Sequence, residues 1–316
     1  MTTTTYNPTV HRYAVFTACC TVFLLMAGAL VTSNDAGLAV PDWPTSYGSF
    51  LPPMVGGIFW EHGHRMVATF VGLATIGLAL ILWKLDARPW MKRLGWIALG
   101  AVVLQGLFGG LTVKLNLPPA VSIIHACLAQ GFFCITVAIA VFTSRWWQND
   151  FTPMDDGNAR LRLLSVWLAA VTFVQLILGA SLRHAAFGVT PQQVLGIAPH
   201  ILGAVAVLTL VILSSRTIRL VFPKVSVLRK MGALLNAVVG SQILLGLVTW
   251  WSRVQTFGAQ QPQTGTIWLT VAHTVLGALV LASTVVFALI CRRLLVAHSL
   301  MAVREQASTA AAHRPV

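Results

Sequence analysis

The chain reads as an all-α integral membrane protein of eight transmembrane helices, arranged as two pseudosymmetric four-helix bundles. Three observations predict this. The 316 residues are 57% hydrophobic and only 9% charged, against about 25% charged in an average soluble domain. Eight apolar stretches reach the ~20 residues that a spanning helix needs. The two halves of the chain also echo one another in sequence.

The stretches cover about 13–33, 61–83, 94–113, 121–143, 163–182, 198–215, 231–251 and 267–290. The first ends on GALVT (28–32), and the second opens on EHGHRMVATF. The third closes on QGLFGGLTV (105–113), and the fourth carries SIIHACLAQGF. A polar loop, SRWWQNDFTPMDDGNARLR (144–162), separates the halves. The fifth span then ends on GASLR (179–183), the sixth opens with APHILGAVAV, the seventh carries QILLGLVTW (242–250) and the eighth VAHTVLGALV. QGLFGGLTV pairs with QILLGLVTW at an offset of 137, aligning Gln105 with Gln242, Gly109 with Gly246 and Thr112 with Thr249. His64 and His200 are offset by 136, and GALVT resembles GASLR at the same end of each half. Several matches in consistent order indicate duplication. The expected organisation is an N-terminal bundle over 1–150 and a C-terminal bundle with a cytoplasmic tail over 151–316.

Charge orients the chain. The formal net charge of +13 would suit nucleic acid, but the basic residues fall on one side of the predicted membrane. Of 21 lysines and arginines, all but Arg65, Lys114, Arg183 and Arg253 lie on that side. The positive-inside rule places both termini in the cytoplasm of a cell (inner) membrane protein and leaves nucleic acid excluded. The first span is too long for a signal-peptide core and no small-residue cleavage site follows it, so no cleavable leader is expected. All five cysteines fall within or at the edge of predicted helices and read as small apolar residues. The outer loops contain none, so no disulfide is expected there. The first outer loop, NDAGLAVPDWPTSYGSFLPPMVGGIFW (34–60), is broken by Pro and Gly and rich in interfacial aromatics. It reads either as a lid over the first bundle or as an interfacial connector.

Four histidines carry the chemistry: His64, His125, His200 and His273. Each stands near the start of an even-numbered span, in its first two turns, roughly 5–10 Å below the outer surface. Each is followed four residues later by a small residue (Ala68, Ala129, Ala204, Gly277). Imidazole is costly in hydrocarbon without a partner. Paired nitrogens facing across a bundle beside small residues are what the iron of a flat macrocycle needs. Division into halves pairs His64 with His125 and His200 with His273. His62 lies about 160° around the helix from His64. His184 falls in an outer loop, and His11, His298 and His313 lie in terminal segments.

Glu61, three residues before His64, shares its helix face and offers a carboxylate at a cavity mouth. Ile197 holds the equivalent place before His200, so one half is reactive and the other handles electrons. Arg65 and Arg183 are candidates for propionate contact, with Arg253 weighed between that role and solvation. Gln105 and Gln242 could bond ligands or neighbouring helices.

GLAVPDWP, EHGHR, QGLFGGLTV followed by IIHACLAQ, PHILGA and AHTVLGA, in that order over about residues 14–290, resemble the haem A synthase family. The resemblance implies oxidation of the C8 methyl of haem O to a formyl group, giving haem A for terminal oxidases. It implies that His64 and His125 hold the substrate haem O, that Glu61 is catalytic, and that His200 and His273 ligate a permanent haem b. The implied mechanism is two hydroxylations of one methyl and loss of water. Expected partners are the lipid bilayer, haem O synthase or oxidase assembly factors, an unidentified electron acceptor, and further copies of the chain in a homo-oligomer. The chain departs from many family members in lacking the outer-loop cysteine pairs, so no thiol step is available to it. A di-haem b-type cytochrome that only relays electrons is the rival; it leaves Glu61 unexplained. Haem O synthase needs Asp-rich magnesium sites, whereas the close acid pair here is Asp155–Asp156. A duplicated transporter leaves the matched histidines unexplained.

Overall fold

The computed structural model describes residues 6–149, 153–156, 160–184 and 195–296. Eight helices are long and apolar enough to cross a membrane: α1 (Pro8–Ser33), α2 (Gly56–Leu85), α3 (Pro89–Lys114), α4 (Pro119–Thr143), α5 (Leu161–His184), α6 (Ala198–Val221), α7 (Ser226–Gln255) and α8 (Thr264–Leu294). The protein is thus a multi-pass membrane protein. Every helix outruns the apolar stretch that announced it, because polar and basic residues extend the hydrogen-bonded backbone beyond the hydrocarbon-length core.

Local signals set the helix starts. The side chain of Asn7 accepts from the N–H groups of Thr9 and Val10 at the head of α1 (3.0 and 3.4 Å). Prolines occupy the first turns of α1, α3, α4 and α6, where a missing N–H costs nothing. Asp156 is buried and accepts from Leu161 and Arg162 at the start of α5. This carboxylate of the Asp155–Asp156 pair is therefore committed to capping a helix.

Within the first half, α1 packs on α2, α2 on α3, α3 on α4, and α4 back on α1; α5 to α8 close a ring in the same way. The rings meet where α1 and α4 touch α8 and α4 touches α5. Each half has its own apolar core, around Leu78, Leu82 and Phe132 in the first and Leu168, Val211 and Phe287 in the second. Phe133, Ala278 and Ala282 pack between them. Large apolar side chains such as Leu73, Leu202, Leu220 and Leu244 are exposed, as on helices whose outer faces meet lipid. Buried hydroxyls do the reverse. Thr17, Thr21, Thr75 and Thr172 each donate to the carbonyl four residues back. Hydroxyls satisfied in this way let helices approach closely where no hydrophobic force acts between them.

Two further features lay beyond the sequence patterns. The loop between the halves forms a single helical turn, Arg145–Gln148, and strand β1 (Met154–Asp155), which pairs in parallel with β2 (Leu295–Val296) after α8. At the opposite end, Ser33 at the end of α1 donates to Thr270 of α8 and accepts from Arg183 of α5 (3.3 and 3.2 Å), tying the halves together.

Candidate functional site

All four histidines occupy equivalent seats. Each ring lies against a glycine of the preceding membrane helix: His64 against Gly28, His125 against Gly109, His200 against Gly179 and His273 against Gly246. A Cβ at these glycines would stand 3.1, 3.1, 3.0 and 2.9 Å from the ring's Cε1. Glycine is thus required for space, and the GALVT, QGLFGGLTV, GASLR and QILLGLVTW segments recur because each supplies it. The depth within the helix does not recur as expected. His64 and His273 stand in the third turn of α2 and α8, while His200 follows close behind the start of α6. Helix starts vary with loop structure, whereas the glycine fixes the ring across the helix pair.

His64 is within electrostatic reach of His125, and His273 of His200. The Nδ1 atoms of His64, His125 and His273 are shielded from solvent and have no hydrogen-bond partner. Buried polar atoms without partners are uncommon and mark places where a further group completes the structure. Half-buried imidazoles with an unpartnered nitrogen, each packed against a glycine rather than a side chain, are the type of donor that fits haem iron.

Glutamines stand beside three of these rings. Gln105 Nε2 lies 3.4 Å from His125 Nε2, and Gln242 Nε2 lies 3.4 Å from His273 Nε2. Gln175, which sequence reasoning missed, lies 3.1 Å from His200 Nδ1 and donates to the His200 carbonyl (2.8 Å). The signal was available: Gln175 precedes Gly179 by four residues, as Gln105 precedes Gly109 and Gln242 precedes Gly246.

Glu61 and Arg65 sit beneath the first outer loop. Glu61 is 4% exposed. Its Oε2 accepts from the N–H of Val40 (2.8 Å) and its Oε1 from Arg65 (2.5 Å). Arg65 donates further to the carbonyls of Asp42 and Thr45 (2.8 and 2.6 Å). His62, set aside as a ligand on angular grounds, lies 2.8 Å from Ser46 Oγ. Trp43 lies over Gly110 of α3, where a Cβ would come within 2.6 Å of the indole. The loop is therefore a cap clamped to α2 and α3. Asp42 holds its turn by accepting from the Thr45 hydroxyl and the N–H groups of Tyr47 and Gly48. These bonds, the Thr45 hydroxyl first, hold its carboxyl far below the ordinary range.

Arg183 and Arg253 line a cavity of about 430 Å³ with Ser33, Asp35 and Thr270, at the same end of the second half. His184 is the last residue of α5, not a loop residue as expected, and lies within electrostatic reach of His125. All five cysteines are free thiols, all on helices. His298, His313 and most of the third outer loop lie outside the described residues.

Eight spans carrying four imidazoles, each seated on a glycine of the preceding helix, define a multi-pass membrane protein with histidines inside its helical bundles. The chain belongs to the COX15-CtaA family of cytochrome oxidase assembly proteins, matched over residues 55–286. It is 31% identical over 178 residues to the haem A synthase of Symbiobacterium thermophilum, covering 52% of this chain and 56% of that one. With the haem A synthase of Shouchella clausii it shares 26% over 181 residues, 55% of this chain and 58% of the relative. With that of Novosphingobium aromaticivorans it shares 24% over 347 aligned positions, 86% and 92%. The chain spans little more than half the length of the first two.

Proposed function

We propose that this protein is a haem A synthase, oxidising the C8 methyl group of haem O to a formyl group and so supplying haem A for terminal oxidases. The observation that carries the reading is the fourfold glycine seat, which gives His64, His125, His200 and His273 the same packing against the preceding helix in both halves. In this reading His64 and His125 hold the iron of the substrate haem O, and His200 and His273 hold a resident haem b. The N-terminal half, residues 1–150, is then the substrate bundle, and residues 151–316 the electron-handling one. A resident haem supplies one-electron transfer.

The chain's own groups do the rest. Glu61 is the acid in one half that has no counterpart in the other, where Ile197 stands. Its carboxylate, one helical turn before His64 in α2, is suited to stabilising an electron-deficient carbon or taking a proton during the two oxidations of the methyl. Arg65 shares that carboxylate with the cap, so its guanidinium sets how much negative charge faces the substrate. Arg65 and Arg183 are the side chains suited to haem propionates. The Val40–Ser46 cap shields this chemistry from water.

With both termini cytoplasmic in the cell membrane, the paired sites lie toward the outer surface. Haem O synthase, oxidase assembly factors, an electron acceptor and further copies of the chain are the proposed partners. The test is expression in a host that makes haem O but no haem A, with chromatography of the extracted haems. Haem A formation is expected; tightly bound haem b with no haem A would favour an electron-relay cytochrome instead.

A further inference from the structure

One cavity plays no part in the site described above. It measures about 440 Å³ and lies where α1 and α4 of the first half meet α8 of the second. Its wall is apolar along most of its length, with Val15 and Val22 from α1, Phe133 and Val137 from α4 and Ile290 from α8. The nitrogen- and oxygen-bearing side chains that line it, His11, Ser144 and Trp146, all stand at the end where α1 starts and α4 stops. From His11 to Val22 along α1, and from Phe133 to Ser144 along α4, is about 16 Å at ~1.5 Å per residue. That is roughly half of the ~30 Å hydrocarbon core. The cavity is therefore one leaflet deep, with its polar end at the membrane–water interface, where an indole such as that of Trp146 belongs.

Cations flank that end. Arg145 is exposed, and its guanidinium stands 4.8 Å from the ring centroid of Tyr6, which in turn packs on His11. The guanidinium of Arg293 stands 5.8 Å from the ring centroid of Trp146 and donates to the Asn149 carbonyl (2.6 Å). Two acids at this end are already committed, Asp86 to Arg88 and Asp156 to the head of α5. An apolar slot one leaflet deep under a basic rim matches a molecule with a hydrocarbon chain and an anionic head. We infer that this groove is a binding site for one anionic phospholipid, its acyl chain lying along α1 and α4 and its phosphate at Arg145. Such a lipid bridges the two halves, because both supply the walls.

The test uses the purified full-length protein, stripped of lipid in detergent and supplied with phosphatidylglycerol or phosphatidylcholine of the same chain length. Native mass spectrometry counts the lipid retained. Wild type is expected to keep one phosphatidylglycerol and to prefer it to phosphatidylcholine. Arg145→Gln should weaken its retention about 5-fold, the weight of one basic residue near an anionic surface, and Arg145→Lys should restore it. Cys19 is exposed and lines the groove, so Cys19→Trp should fill the slot and abolish retention. If Cys19→Trp does not fold, the Arg145 variants decide alone. Equal retention of the two lipids, or phosphatidylglycerol binding untouched by either Arg145→Gln or Cys19→Trp, would overturn the inference.

Discussion

The ring of His273 lies against Gly246 of the preceding helix, so closely that a Cβ there would stand 2.9 Å from its Cε1. Replacing Gly246 with alanine adds a single methyl, yet it must push the imidazole a few tenths of an ångström out of its seat. In the proposed function, axial ligation by His273 depends on that placement. Gly246→Ala is expected to weaken haem binding by about 10-fold while leaving the fold intact. Titration with haem b, checked against the thermal stability of the unloaded protein, measures both. Unchanged affinity would show that the seat has slack.

Substituting His200 or His273 with alanine should abolish the low-spin spectrum of the retained haem, whereas His64→Ala should leave it in place. Absorption and paramagnetic resonance spectra of the purified variants check this. A full reduced b-type spectrum in His273→Ala would move the resident haem elsewhere.

Much of this was legible in the sequence, for physical reasons. Imidazoles in hydrocarbon-length segments stand out because they are costly there, and the echoing segments of the two halves draw attention to them. The eight helices follow from apolar length alone. Their ends did not, because caps such as Asp156 on α5 and the β1–β2 pair depend on residues distant in the chain. Gln175 was missed because the repeat was read from the third and seventh spans, where threonine strengthens the match. The cap's attachment was not legible either. Its bonds run from the Val40 N–H and from the Asp42 and Thr45 carbonyls, and backbone groups leave no trace in residue type.

The cap should resist mild acid. Asp42's carboxyl is held below its unfolded value of about 3.9, so its contribution is complete above that pH and fades only as pH falls toward the depressed value. The part of the protection that depends on Asp42, read as the difference between wild type and Asp42→Asn in limited proteolysis of the 40–48 segment, is expected to be the same from neutral pH down to about pH 5. Asp42→Asn should raise cleavage at neutral pH. Equal protection in the variant would show that the turn does not depend on the charge.

Activity should survive reducing agents, since all five cysteines are free and lie on helices. Haem A formation in membranes treated with a dithiol reductant should match untreated membranes. Loss on reduction, restored by reoxidation, would point to a thiol step.

The most direct test of the account is the conversion of haem O by Glu61→Gln. Glutamine preserves shape and an acceptor carbonyl for Val40 but cannot carry negative charge or take a proton. Haem extracted from membranes containing the variant would be separated by chromatography and compared with wild type. The account predicts bound haem at wild-type levels, accumulation of haem O or a hydroxylated product, and haem A reduced about 10²–10⁴-fold. Near-wild-type haem A formation by Glu61→Gln would contradict it.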